Sequence, residues 1–202
     1  MEALAAPTRS KRMPKIPDSL IWEVLDGQPL YRRGYMDVVR KQKTITDIMG
    51  TSSYQSIIIT YLSKLLARHL DDAQYDYLIN EIGIHLKHRD NISNDIAIFN
   101  RLNGEQFSKK YVDFPPKIAI EIDIDIDPSS MSHIDYLNTK TQKMLDFGVE
   151  KVIWILTNNK KVMVAVPNAP WLTMEWTNDI EIIDGITFNI HNYLVERNIQ
   201  IS

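Results

Sequence analysis

The sequence predicts a mixed α/β fold of α+β character, a β-sheet flanked by helices, and three observations carry that prediction. Residues 116–128 read Pro-Lys-Ile-Ala-Ile-Glu-Ile-Asp-Ile-Asp-Ile-Asp-Pro, a strict alternation of aliphatic and acidic side chains with the period of a strand. Two stretches, 52–70 and 132–147, carry the signature of amphipathic helices. Behind the second helix, apolar runs at 152–156 and 162–166 flank Thr157, Asn158, Asn159, Lys160 and Lys161, whose polar residues suit a hairpin turn. The central order is therefore strand, helix, strand, hairpin return.

The remaining elements follow along the chain. Residues 1–16 lack apolar periodicity and carry Arg9, Lys11, Arg12 and Lys15, the composition of a basic arm. After Pro17, residues 20–26 form either a short helix or a strand closed by Gly27, and 29–33 continue as a strand. In 52–70 the residues Ile58, Tyr61, Leu62, Leu65, Leu66 and Leu70 recur at helical spacing, with Ser52 or Ser53 available as N-cap. Residues 77–86 and 95–99 read as paired strands divided by the polar segment 88–94. The second helix ends at Gly148, the residue that best closes a helix. Beyond the hairpin, 171–176, 180–183 and 186–190 read as further short strands.

Composition bounds the function. The chain has 202 residues, 44% hydrophobic and 24% charged, enough for one globular domain over 17–202 behind the basic arm. Cysteine is absent, which excludes disulfides, thiolate metal sites and cysteine nucleophiles and points to an intracellular protein. The longest apolar runs fall far short of the ~20 residues of a membrane span, so a cytoplasmic protein with no membrane partner is expected. A net charge of −3 gives no bulk attraction for nucleic acid, so any DNA contact has to be local.

The acidic alternation is where chemistry concentrates. Read as one strand, it puts Glu121, Asp123, Asp125 and Asp127 on a single face, where their repulsion and desolvation must be offset by water, a cationic side chain or a metal. Asp125 and Asp127, near the strand end, read as solvated acids. A calcium loop counted from Asp123 fails, because positions 6 and 12 hold Pro128 and Ile134 in place of Gly and Glu. In the preceding strand, alternation puts Asp95 on the face opposite that of Ile96 and Ile98, so Asp95 and Glu121 on adjacent strands could share a divalent cation. On the helix 132–147, Ile134, Leu137, Met144 and Leu145 define the expected buried stripe, with Lys140 at its edge and Lys143 about 60° farther towards solvent. A lysine beside carboxylates and a metal can orient an attacking water or stabilise charge on a phosphate, the set of metal-dependent phosphodiester hydrolysis. His85 and His88 face opposite sides of a regular strand and cannot jointly hold a metal.

In Trp22-Glu-Val-Leu-Asp-Gly27, the helix ending Leu65-Leu-Ala-Arg-His-Leu70, Asn94-Asp-Ile-Ala-Ile98, Pro116-Lys-Ile-Ala-Ile-Glu121, and Lys140 eight residues before Gly148-Val149, the chain resembles the Uma-type family of restriction endonucleases within the PD-(D/E)XK nuclease superfamily. The resemblance spans about residues 20–195. It implies a restriction-endonuclease-like mixed sheet flanked by helices, with Asp95 and Glu121 as ligands of Mg2+ or Mn2+ and DNA as substrate. Where the superfamily usually has its lysine this chain has Asp123, an additional ligand in this reading, and Lys140 on the following helix supplies the lysine. Glu23, in the Glu-x-x-Asp-Gly stretch, is a further site candidate. Gln55 stands where the family often has histidine and shares the stripe of Ile58, Leu62 and Leu65, which directs it either into the same cleft or into capping and packing. Asn94 replaces the usual proline. A homodimer would serve cleavage of both strands of a duplex. The competing reading keeps the fold as a catalytically inactive binding or assembly module.

Overall fold

The computed structural model describes residues 15–200. Most of the basic arm expected over 1–16 therefore lies outside the described residues. The chain opens with β1 (Ile21–Leu25) and β2 (Gln28–Tyr31), paired antiparallel with Leu25 opposite Gln28. Their two-residue turn is made by Asp26 and Gly27, both at positive φ, the backbone that matches the twist of a tight hairpin. A short α1 (Tyr35–Val39) leads to α2 (Ser53–His69), whose N-cap Ser52 accepts from Gln55 N at 3.1 Å.

Then follow β3 (Tyr75–Lys87), β4 (Asp90–Asn100) and β5 (Ile118–Ile122). The expected helix is α3 (His133–Phe147), capped by Ser132 at one end and by Gly148 in the left-handed region, φ 114°, at the other. Beyond it lie β6 (Lys151–Leu156), β7 (Lys161–Ala165), β8 (Leu172–Glu175), β9 (Ile180–Ile183), β10 (Ile186–Phe188) and α4 (Ile190–Glu196).

Eight strands form one mixed sheet in the order β2-β1-β4-β5-β6-β7-β8, with β3 also paired to β4. Only β5 and β6 run parallel, joined across α3, and the other pairs are antiparallel. Ile58, Leu62 and Leu66 of α2 pack on Ile96, Ile98, Ile118, Ile120 and Ile155, and the hairpin β9–β10 with α4 closes over that core. Tyr136 and Met144 of α3 cover the opposite face over Ala119, Val152 and Trp154. A sheet buried on both sides explains the near-continuous apolar runs of β5 and β6. Among the described residues no helix is long and apolar enough to cross a membrane.

Four expectations are corrected here. The alternation at 116–128 is not one strand: β5 ends at Ile122, and Asp123 turns the chain with φ 61°, so the four acids share no common face. Ile124 and Ile126 still find the core after the bend, which is why the apolar period persists in the sequence. The polar segment 88–94 is mostly strand, since Lys87 pairs with Asp90 across a turn of only His88 and Arg89, and Asp95 lies in the middle of β4. The buried face of α3 runs through Tyr136, Lys140, Thr141 and Met144, whereas Ile134 is 73% exposed, so Lys140 is at the centre of that face. Finally, 190–196 is helix, with Asn189 accepting from Asn192 N as its cap.

Candidate active site

Three strands compete for β4, which has two edges. β3 runs along one edge for its whole length, while the other is taken by β1 at Asn91 and by β5 at Ile96, Ala97 and Ile98. Between those two partners the edge is forked, and on that side Ser93, paired with Gly83 of β3 on the other, meets neither β1 nor β5. A buried peptide group must find a partner. Ser93 N donates to Glu23 Oε1 at 2.9 Å, and Ser93 O accepts from Lys140 Nζ at 2.7 Å. Charged side chains thus complete the sheet at the fork.

The ladder Ile96↔Ile120, Ala97↔Ala119, Ile98↔Ile118 stops one step short of Asp95 and Glu121, which lie near enough for the Asp95 charge to raise the pKa of Glu121. Asp95 Oδ2 accepts the Ile122 amide at 2.7 Å, and Gln55 Nε2 reaches Oδ1 at 3.4 Å. A bulge faces this point from the other edge, where Asn80 and Glu81 of β3, both at positive φ, lie between the pairs Ile79↔Ile96 and Ile82↔Asn94. Such a bulge re-aims the side chains beside it.

Lys140 reaches the pair from α3. Its Nζ donates to Glu121 Oε2 at 3.0 Å and Glu23 Oε1 at 2.9 Å, besides Ser93 O, and lies 3.2 Å from Tyr136 Oη. Tyr136, one helical turn earlier, donates to Glu23 Oε2 at 2.7 Å. Asn94 Nδ2 donates to Glu121 Oε1 and touches Met144 Sδ, while Asn94 Oδ1 is buried with no partner among the described residues. Lys140 is 1% exposed, Glu23 3%, Glu121 5% and Asp95 9%, so the cluster is sealed in the sheet.

Burial disfavours the anionic forms. It pushes Glu121 up to about 8, against the pull of Lys140, and Asp95 up to about 6, against the Ile122 amide and Lys140. Burial opposes charge on Lys140 too, but the Glu121 and Glu23 carboxylates hold its pKa well above the ordinary lysine value. Three acids thus face one ammonium.

The structure brings together four of the residues singled out in the sequence, Asp95, Glu121, Lys140 and Glu23, with Gln55 against Asp95. Asp123 is engaged elsewhere: its carboxylate accepts from Thr157 N at 2.7 Å and Thr157 Oγ1 at 2.6 Å, tying the bend after β5 to the end of β6. Gln55, Asp123, Asp125, His133 and Thr157 line a cleft of about 400 Å3. Asp95 meets that cleft through Gln55, while Lys140 sits deeper and does not line it. Asp125 is half-buried, its carboxyl raised by desolvation against the Arg33 charge, and Asp127 caps Gly34 and Ser129. His85 is occupied by Asn91 at 2.6 Å. Tyr136 escaped the sequence reading, although it stands at i−4 from Lys140 and so on the same helical face.

Among the described residues, no group of three or more His, Cys, Asp or Glu side chains is arranged to hold a metal ion. The donors at hand are two carboxylates, the number with which a magnesium-type ion is often held while it keeps several waters. The surplus of buried carboxyl groups over ammonium and the orphaned Asn94 Oδ1 fit such a cation.

No family model matches the chain, and no curated protein matches it. Among solved structures the chain is similar to one from Anabaena variabilis, described as "a putative nuclease belonging to DUF820", with a TM-score of 0.54, 13% identity and 80% of each chain covered. At that identity the two share their fold.

Proposed function

We propose that this chain is a metal-dependent endonuclease that hydrolyses DNA phosphodiester bonds, an Uma-type member of the PD-(D/E)XK superfamily. One observation carries the reading: Asp95 and Glu121 lie near each other at the fork of the sheet, Asp95 on the Ile122 amide and Glu121 against Lys140. The description of the Anabaena variabilis protein as "a putative nuclease" supports it. Asp95 and Glu121 would hold Mg2+ or Mn2+, which supplies electrophilic polarisation of the phosphate and a more acidic water. Lys140 has its donors engaged by Glu23, Glu121 and Ser93 O, so its part is that of a fixed positive charge that eases the ionisation of Glu121 when a cation binds. Glu23 and Tyr136 hold that charge in place. Gln55 orients Asp95 from the cleft side, and Asp123, both of its oxygens held by Thr157, shapes the cleft wall.

A second reading, the inactive binding or assembly module, is favoured by one observation: Lys140 is 1% exposed and saturated with acceptors. One assay decides between them. Incubation of supercoiled plasmid with Mg2+ or Mn2+ is expected to give nicked and linear products that Glu121→Ala abolishes. Equal behaviour of the wild type and the variant sinks the nuclease reading.

A further inference from the structure

A second cleft, of about 380 Å3, adjoins the first and shares Arg33, Ser52 and Asp125 with it. Its other walls include Trp22 of β1, Arg32, Lys43 and Glu81. Ser52 stands three residues before Gln55, and Glu81 belongs to the bulge that faces Asp95, so the second cleft flanks the same site.

Its cations are held in an unusual way. The guanidinium carbon of Arg32 lies 4.4 Å from the centroid of the Trp22 ring. Arg32 Nε is buried and has no hydrogen-bond partner among the described residues. A guanidinium stacked on an indole spends its face on the ring and keeps its edge, with the donor fork, for a planar or tetrahedral anion. Arg33 is anchored by Nη2 to Ile124 O at 2.6 Å, which fixes it on the wall common to both clefts. Lys43 sits at the exposed rim, 3.1 Å from Asp37. Of the acids on this wall, Asp47 is taken up by Thr44 N and Oγ1, and Asp125 faces Arg33. Glu81 is the remaining one.

We propose that this second cleft seats a backbone phosphate of duplex DNA beside the scissile bond, with Arg32 and Arg33 as its donors and Lys43 as a rim contact. The inference rests on the nuclease reading, because a phosphodiester at the Asp95–Glu121 pair continues along its strand into whatever lies next to that pair. It also explains how a chain of net charge −3 holds a polyanion: the contact is local, an arginine pair braced by an aromatic ring.

The test is equilibrium binding of a short fluorescein-labelled duplex by anisotropy, in EDTA and over a series of salt concentrations, with plasmid cleavage measured in parallel. Arg32→Gln and Arg33→Gln are each expected to weaken binding on the order of tenfold and to reduce the salt slope by about 1, as the loss of one phosphate contact does. Lys43→Gln, at an exposed position, should weaken it in the same direction, and Glu81→Gln should tighten it. Opposite signs at two surface positions cannot come from misfolding, which decides the matter even if an arginine variant is unstable. A wild type that cuts DNA while all four variants bind as it does overturns this inference and leaves the nuclease reading standing. A wild type that neither binds nor cuts overturns both.

Discussion

Removing the charge of Glu121 while keeping its shape should change how the metal-free protein responds to alkali. Burial raises Glu121 from 4.5 to about 8 and Asp95 from 3.8 to about 6, so both carboxyls keep their protons in the folded chain at pH values where the unfolded chain has lost them. The folded state then binds more protons, and stability falls as pH rises. Stability from these groups is complete below pH 4 and is lost as pH climbs through the folded values. Between pH 5 and pH 8, Glu121 accounts for the larger loss, on the order of 3–4 kcal/mol, and Asp95 for one on the order of 1 kcal/mol. Glu121→Gln should abolish the larger part, because its amide stays neutral, and the unpartnered Asn94 Oδ1 can turn to accept from it. Urea unfolding in EDTA at pH 5, 6, 7 and 8 reads both slopes. Saturating Mg2+ should restore the wild type at pH 8, since the ion binds the ionised pair and only in the folded chain. A wild type whose stability is flat or rising across this range, or a Gln variant with the same slope, refutes the reasoning.

Two further perturbations follow from the packing. Lys140→Met leaves Glu23 and Glu121 buried without their cation and should cost about 3–5 kcal/mol in chemical denaturation, a loss that the double substitution with Glu23→Gln partly recovers. Gly83 lies beneath the Tyr111 ring, where an added Cβ would come within 2.7 Å of it. Gly83→Ala should therefore cost about 1–2 kcal/mol, and the cost should vanish in a Tyr111→Ala background.

Much of the frame was legible because local rules and tertiary needs agree in it. The two long helices announce themselves by apolar spacing and by Ser52, Ser132 and Gly148 at their ends, and the hairpin of β6 and β7 by its polar turn. The acidic stretch misled because alternation records which residues are buried and not whether the backbone runs straight. Ile126 is fully buried after the bend at Asp123 just as Ile122 is before it. Apolar spacing sets Lys140 at the edge of its helix, where lysines usually lie; its central place depends on Glu23 and Ser93, more than forty residues away, which no periodicity within α3 encodes. The meeting of Asp95 and Glu121 was readable from two strands, but the fork that gives the meeting its charged scaffold depends on β1, whose single register pair with β4 leaves no pattern in the sequence.

The fork also sets what selection would see. Glu23 and Lys140 stand in for missing strand partners of Ser93, so a descendant that lost either would lose part of its sheet before it lost any reaction. Purifying pressure on folding alone would keep both residues in lineages that had stopped cutting DNA. Gln55 meets Asp95 only through a long 3.4 Å bond, and its side chain holds no strand in place. Across relatives, it is at Gln55 and along the cleft it lines that a change of trade would first be written, while the buried lysine outlasts the chemistry it once served.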